Sequence, residues 1–160
     1  MTSIIRSRRC LLFVLLAISV GLMLAAPPAR AEGTLLSTGD IAIVGLNSDA
    51  DDEFSFLLLK DIAAGTSLYV TDKGWNDGTG FYTVLGDGTW LWTTASALPK
   101  GTVVHIKTTN NGTIEAGSLA ASPGTVSWVE NNSTVISYAG DQVFLYQGTE
   151  VSPTIITGIT

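Results

Sequence analysis

Residues 39–75 read GDIAIVGLNSDADDEFSFLLLKDIAAGTSLYVTDKGW, and this stretch indicates the fold class. It contains apolar runs at 41–44, 54–59 and 68–71 that are rich in β-branched and aromatic residues. Each run is too short for a helix and is bounded by Gly, Asp or Asn, a pattern typical of β-strands separated by turns. The stretch therefore predicts an all-β domain.

The second run shows how these strands are buried. Side chains alternate between the two faces of a strand, so Phe54, Phe56 and Leu58 share one face and Ser55 begins the other. An apolar face of this kind needs a core to pack against. We predict that this strand is buried on at least one side and lies in the centre of a sheet.

Strand-like runs continue to the end of the chain with no amphipathic helix between them. The stretch 73–80 is predicted to be a loop, 86–88 a hairpin turn, and 108–124 a long polar connector. About eight or nine short strands separated by turns predict a β-sandwich. The later predicted strands are 81–85, 89–93, 102–107, 125–129, 134–138 and 142–146, and an alternating tail follows at 154–160.

The first 31 residues have the pattern of an export signal. A basic segment with Arg8 and Arg9 precedes the apolar run 11–24, and a small-x-small motif follows at Ala29 and Ala31. We predict a signal-peptide helix over 1–31 and cleavage before Glu32. Residues 32–38 are then a polar lead-in.

Two alternatives concern this signal. The apolar run is shorter than the roughly 20 residues of a membrane-spanning helix, which favours a cleaved signal and predicts no membrane span after cleavage. Ser7-Arg8-Arg9 also resembles a twin-arginine signal, although the general secretory route is the default. The predicted location is outside the cytoplasm, as a secreted protein, with the periplasm left open.

The charge of the exported chain restricts its partners. After residue 31 the chain has four lysines, no arginine and fourteen acidic residues, a net charge of −10. Such a surface repels phosphate backbones and attracts cations, so nucleic-acid binding is not expected. The single cysteine, Cys10, lies in the signal. A core without disulfides must therefore stabilise the domain.

The acidic loop at 47–53 is the candidate metal site. Calcium binds six to eight oxygen ligands from carboxylates, amides and carbonyls, which this loop has in number. The competing interpretation is a solvated turn whose Asp and Asn residues serve turn geometry and solubility. No other cofactor is predicted. The candidate calcium ligands are Asn47, Asp49, Asp51, Asp52 and Asp72.

No set of residues predicts catalysis. His105 is the sole histidine, and we interpret it as an exposed or half-buried structural residue. Neighbouring carboxylates in one loop lack the opposed geometry of glycoside hydrolysis. No nucleophile-elbow, phosphate-loop or zinc-protease motif is present. The chain is therefore predicted not to be an enzyme.

Two tryptophans on one strand allow two interpretations. Trp90 and Trp92 share a face of the predicted strand 89–93. Exposed, they would form a platform on which sugar rings stack, and buried, they would belong to the core. Burial is the favoured interpretation.

Six short motifs follow one another along the chain: GDI (39–41), DEFSF (52–56), DI-x-AGT (61–66), TD-x-GW (71–75), LPKGT (98–102) and AGDQVFL (139–145). Their order resembles the lamin-tail-like domains of secreted bacterial proteins. The resemblance implies an immunoglobulin-type β-sandwich over 39–160 that acts as an attachment module without catalytic residues. Whether the domain ends with a last strand at 154–160 or is truncated, as a piece of a longer protein, stays open.

Together these observations predict a secreted, non-catalytic interaction module whose partner is a protein or glycan at a cell surface. The alternative is a calcium-dependent carbohydrate-binding module that uses the 47–53 loop. A fragment of a secreted hydrolase is a distant third.

Overall fold

The structure is a computed structural model that describes residues 32–48, 51–82, 87–108, 119–130, 136 and 141–160. The predicted signal helix and most of the predicted strand 134–138 lie outside these residues. The described part of the chain contains no helix. Its strands are β1 (Ile41–Asn47), β2 (Glu53–Leu58), β3 (Ser67–Thr71), β4 (Gly74–Asn76), β5 (Gly80–Tyr82), β6 (Thr89–Thr93), β7 (Val103–Thr108), β8 (Leu119–Ser122), β9 (Thr125–Glu130), β10 (Val143–Thr149) and β11 (Ser152–Ile159).

The described strands form two large sheets and one hairpin, all antiparallel. The four-stranded sheet has the order β1-β2-β7-β8, and the five-stranded sheet has the order β11-β10-β3-β6-β9. Strands β4 and β5 pair only with each other. The all-β prediction is therefore confirmed, and the two large sheets are consistent with a β-sandwich. The prediction that 54–59 is a central strand is also confirmed, because β2 lies between β1 and β7.

Three local predictions were wrong. The described residues contain eleven strands rather than eight or nine, since β4 lies in the predicted loop 73–80 and β8 in the predicted connector 108–124. Both are short and rich in Gly, Asn, Ala or Ser, so they lack the apolar alternation that marks a strand. The turn predicted at 86–88 does not join a hairpin, because β5 pairs with β4 whereas β6 pairs with β3 and β9.

Two pairs of aromatic rings join the sheets across the core. Phe54 stacks on Trp90 with ring centroids 5.7 Å apart, and Phe56 meets Trp92 edge-on at 5.3 Å. All four residues are at most 2% exposed. The predicted burial of the β2 phenylalanines and of the tryptophan pair is therefore confirmed.

The β4–β5 hairpin covers part of the outer face of the five-stranded sheet. Phe81 of the hairpin packs against Tyr146 and Phe144 of β10, with ring centroids 5.0 and 5.6 Å apart. Trp75 meets Phe81 edge-on at 5.0 Å within the hairpin. These rings form a second, smaller aromatic layer on the side of the sheet that faces away from the core.

An ion pair between a buried lysine and a partly exposed glutamate lies beside this layer. The side chain of Lys73 is 2% exposed, and its Nζ is 2.8 Å from Oε1 of Glu150. Glu150, in the turn between β10 and β11, also accepts a hydrogen bond from the hydroxyl of Thr89 at 2.9 Å. An unpaired buried charge is costly, so Lys73 has to stay close to Glu150. The pair therefore holds the residue that precedes β4 against the β10–β11 turn.

Residues 33–38, predicted to be a polar lead-in, are bound to the five-stranded sheet, and we call them the N-terminal strap. Gln147 of β10 holds the strap with its whole amide group. Its Nε2 donates to the carbonyls of Thr34 and Ser67, both at 3.0 Å, and its Oε1 accepts from the N–H of Leu36 at 2.9 Å. The strap is therefore a structural part of the domain.

The strap has a second attachment on the segment before β3. The N–H of Thr34 donates to the hydroxyl oxygen of Thr66 at 2.8 Å, and the N–H of Ala63 donates to the hydroxyl oxygen of Thr34, also at 2.8 Å. Gly33 lies so close to Gly65 that a Cβ at position 33 would overlap the Gly65 backbone. This contact requires glycine at position 33.

Replacing Gln147 with alanine is expected to destabilise the domain by about 2–3 kcal/mol, because three hydrogen bonds to half-buried groups are lost at once. Chemical denaturation of the purified chain measures this change. The matched control is Thr149→Ala on the same strand, where Thr149 is exposed and the change should stay within roughly 0.5 kcal/mol. Equal losses in the two variants would contradict the role assigned to Gln147.

Candidate functional site

The described residues of the predicted calcium loop lie in different surroundings. Asn47 ends β1 and is exposed, while Asp51 forms an ion pair with Lys107, with 3.2 Å between Oδ2 and Nζ. Asp52 is instead buried, at 1% exposed. Asp49 lies outside the described residues. The described members of the loop thus belong to two different surroundings.

Asp52 anchors a distant part of the chain. Its Oδ2 accepts a hydrogen bond from the N–H of Ile136 at 3.0 Å, and Ile136 belongs to the core. Burial raises the pKa of the Asp52 carboxyl, and the hydrogen bond from Ile136 opposes this rise. The charges of Asp141 and Asp51 raise the pKa further. Asp52 therefore has a structural partner already.

Asp72 follows β3 directly and is 2% exposed. Its Oδ1 accepts a hydrogen bond from the N–H of Gly88 at 2.7 Å. Its Oδ2 is buried and has no hydrogen-bond partner among the described residues. Burial raises the pKa of Asp72 to about 8, the charges of Asp87 and Asp141 add to the rise, and the Gly88 hydrogen bond opposes it.

Thr71 pairs with Thr89 on β6 and with Phe144 on β10, so Asp72, Asp87 and Asp141 lie at the same edge of the five-stranded sheet. The charge of Asp141 acts on both Asp52 and Asp72, and the charge of Asp87 acts on Asp72. Asp52 and Asp72 were predicted from the sequence, whereas Asp87 and Asp141 were not; each of the latter two lies two residues before a strand. Across the described residues, no three His, Cys, Asp or Glu side chains are already arranged to hold a metal ion.

The outer face of the four-stranded sheet carries a charged corner that the sequence did not predict. His105 on β7 lies with Nε2 3.3 Å from Oε2 of Glu53 on β2, and Nζ of Lys107 lies 2.8 Å from the other oxygen of Glu53. The hydrogen bond from Lys107 is the main cause of a lowered Glu53 pKa. The side chain of His105 is 46% exposed, as predicted, but it has Glu53 as a partner.

Register explains why this grouping was missed. Glu53 pairs with Lys107 and Ser55 pairs with His105 across β2 and β7, although the two strands are about fifty residues apart in the chain. A strand sequence alone does not indicate its partner or its register. The one sequence signal for this grouping was the presence of opposite charges on two strands whose apolar side chains alternate in the same way.

Trp90 and Trp92 do not form a surface platform for sugars. Their side chains face the core, and the Nε1 of Trp92 donates to the carbonyl of Pro123 at 2.9 Å. Trp90 also meets Trp128 edge-on at 5.8 Å. The pair thus has a packing role.

The predicted cleavage motif falls at the border of the described chain. Ala29 and Ala31 lie outside the described residues, and Glu32 is the first described residue and is exposed. In the part of the chain that the structure covers, we find no helix whose length and hydropathy would let it cross a membrane.

Comparisons with models of known protein families, with curated protein sequences and with solved structures find no match to this chain. The candidate site therefore has to be interpreted from its own geometry.

The raised pKa of Asp72 predicts a pH-dependent stability in the presence of a chelator. The folded pKa, about 8, lies above the ordinary value of 3.8, so the folded state binds the proton more tightly than the unfolded state. The contribution of Asp72 to the free energy of unfolding is then largest below pH 4, and it falls as the pH rises from about 4 to about 8. Asp72→Asn should remove this fall and gain roughly 2–4 kcal/mol at pH 8.

Urea denaturation between pH 4 and pH 8 measures this effect for the wild type and the variant. Asn at position 72 keeps an oxygen for the N–H of Gly88. The control is Glu32→Gln, an exposed carboxylate for which a pH profile parallel to the wild type is expected. A wild-type profile that rises with pH as steeply as the Asp72→Asn profile would contradict the assignment.

Proposed function

We propose that this chain is an exported, non-catalytic binding module with an immunoglobulin-type sandwich that resembles lamin-tail-like domains. Its partner is a protein at or near the cell surface. The observation that carries the proposal is the difference between the two outer faces of the sandwich. The face of the five-stranded sheet is partly covered by the β4–β5 hairpin, whereas the face of the four-stranded sheet carries exposed apolar residues.

The strand order supports the immunoglobulin-type part of the proposal. Immunoglobulin sandwiches have strands A, B and E side by side in one sheet and G, F, C and C′ in the other. Here β1-β2-β7 and β11-β10-β3-β6 follow these two orders. Strand β8 departs from the pattern because it follows β7 in the chain, whereas strand D precedes strand E. Strand β9 extends the second sheet beyond the C′ position.

The uncovered face has the properties of a protein-binding surface. Cross-strand register aligns Ala42, Leu57 and Val103 in one row and Gly45, Ser55 and His105 in the next. Val103 is 49% exposed. Small and apolar residues on a sheet surface allow close approach of a partner, with the His105–Glu53–Lys107 corner as a polar rim.

A shallow recess of about 220 Å³ lies on the same face. It is next to the charged corner, so a partner side chain placed there would contact both apolar and charged groups. Its lining residues are Gly45, Leu46, Asn47, Glu53, Phe54, Ser55 and His105.

Retention of the exported chain on the cells that produce it tests this face. Val103→Lys is expected to lower the cell-bound fraction at least several-fold, because it places a charge in the apolar row. Val129→Lys is the matched control, since Val129 is 50% exposed and lies on β9 of the other sheet. Melting temperatures of both variants should match the wild type.

Two results would count against the proposed face. Equal retention of all three chains would mean that the face has no role in attachment. An equal loss in both lysine variants would indicate a general effect of charge rather than a binding surface.

The proposed export makes a separate prediction. Expressed in a bacterial host, the chain is expected to appear outside the cytoplasm with Glu32 as its first residue, as measured by N-terminal sequencing and mass spectrometry. Ala31→Phe should block cleavage, whereas Glu32→Gln should not. Conversion of Arg8 and Arg9 to lysine should leave export intact if the general secretory route is used, and loss of export would favour the twin-arginine route.

A further inference from the structure

The charged corner and the recess share the outer face of the four-stranded sheet. Nε2 of His105 lies 3.3 Å from Oε2 of Glu53. Nζ of Lys107 lies 2.8 Å from Oε1 of Glu53 and 3.2 Å from Oδ2 of Asp51. Glu53 and His105 line the recess of about 220 Å³, whereas Lys107 does not. The Oε2 side of the Glu53 carboxylate therefore faces the recess, and its Oε1 side is occupied by Lys107.

One negative charge of this corner is left unbalanced while His105 is neutral. The single cation, Lys107, is shared between the carboxylates of Glu53 and Asp51. The hydrogen bond from Lys107 is the main cause that lowers the pKa of Glu53, so this carboxylate stays ionised at neutral and mildly acidic pH. The excess negative charge thus lies beside the recess.

The walls of the recess suit the stem of a long side chain. Gly45 on β1 pairs with Ser55 on β2, and a Cβ at position 45 would lie 3.6 Å from the Cβ of Ser55. The missing side chain leaves the space beside Ser55 open. Leu46, which is 41% exposed, adds an apolar wall. Lysine and arginine side chains bury their methylene stems along such apolar surface while the charged head stays at a polar group.

We propose that the recess binds an arginine or lysine side chain of the protein partner, with its stem against Gly45 and Leu46 and its charged head on Oε2 of Glu53. The inference rests on the proposed function, since it names the partner chemistry that the uncovered face selects. The net charge of −10 beyond residue 31 also favours a basic partner, because opposite charge speeds encounter and suppresses wrong partners. An acidic side chain would be repelled by Glu53.

His105 makes this binding depend on pH. Histidine is the side chain that changes its charge between about pH 5 and pH 8. Protonated His105 donates to the same oxygen of Glu53 that the partner's cation needs, and its charge cancels the excess negative charge of the corner. The residues that pair with His105 from the two neighbouring strands, Ser55 on β2 and Ser122 on β8, are uncharged. Binding is therefore stronger at neutral pH than at acidic pH.

The test is an NMR titration of the full exported, isotope-labelled chain with Nα-acetyl-arginine amide, whose guanidinium stays charged throughout this pH range. Near neutral pH, saturable shifts are expected at the amides of the recess, with a dissociation constant on the order of 10⁻³–10⁻² M. The control probe is Nα-acetyl-norleucine amide, which has an apolar stem without the charge and should give no saturable shift. The amides to follow are those of Gly45, Leu46, Ser55 and His105.

Three variants separate charge, shape and titration. Glu53→Gln should weaken binding of the arginine probe at least several-fold, and Lys107 keeps Asp51 as its partner in this variant. Gly45→Ala narrows the recess and should weaken binding by a similar factor at both pH values. The wild type should bind several-fold more weakly near pH 5.5 than near pH 7.5, and in His105→Gln the ratio of the two affinities should fall close to one.

Glu32→Gln is the matched control for the loss of a carboxylate. Glu32 is exposed and lies outside this face, so the variant should bind the arginine probe as the wild type does. An equal loss in Glu53→Gln and Glu32→Gln would indicate general attraction of a cation to an acidic chain and would overturn the proposal.

Retention on the producing cells separates this inference from the proposed function. Glu53→Gln is expected to lower retention near neutral pH, as Val103→Lys does. Loss of retention in Val103→Lys with full retention in Glu53→Gln would keep the binding face and overturn the assignment of a basic side chain. Saturable binding of the arginine probe that depends on Glu53, together with full retention of Val103→Lys, would support the recess and remove the attachment role.

Two further results would overturn the inference. Equal shifts with the arginine and norleucine probes would mean that the recess does not select a charge. A His105→Gln variant whose binding weakens at acidic pH as much as that of the wild type would remove the role of His105.

Discussion

The packing of Phe54 on Trp90 and of Phe56 on Trp92 holds the two large sheets together. Each ring pair joins a central strand of one sheet to an inner strand of the other. Aromatic side chains of this kind bury about 150–250 Å² each, which makes them the largest contributors to a core. Residues 32–160 contain no cysteine, so no disulfide supports the sandwich. Apolar side chains recur at every second position of β2 and of β6, and this period determines which face of each sheet points into the core. A shift of one residue would turn the apolar face outward, so the same pattern constrains the register of the neighbouring strands.

Once that register is fixed, the polar ends of the strands have little freedom. Strand pairing places Asp72, Asp87 and Asp141 at the same edge of the five-stranded sheet although like charges repel. Asp72 shows this cost: burial is the main cause of its raised pKa, and the neighbouring negative charges raise the pKa further. Such cost is commonly found where a ligand or a function compensates it. The opposite arrangement occurs at Lys73, where a buried cation is matched by Glu150 and the nearby hairpin is held in place.

The sequence predicted the parts of this fold that depend on local alternation. Phe54, Phe56 and Leu58 indicated a central strand, and Trp90 with Trp92 indicated a core, because burial follows a period of two. Strand β4 was missed because Gly-Trp-Asn has turn composition and is stabilised by contacts of Trp75 and Phe81 that no local pattern reveals. The meeting of Asp72 with Asp87 and Asp141 was missed for a related reason. It depends on which strands are neighbours in the sheet, and Asp72 and Asp141 are about seventy residues apart in the chain.

The N-terminal strap also sets an order of events during synthesis. Leu36 and Thr34 are bonded to Gln147, at sequence separations of 111 and 113 residues. These bonds form only after residue 147 has left the ribosome, and contacts of such long range close late in folding. Until then the strap remains part of an unfolded chain. The strap therefore joins the five-stranded sheet only when β10 takes its place.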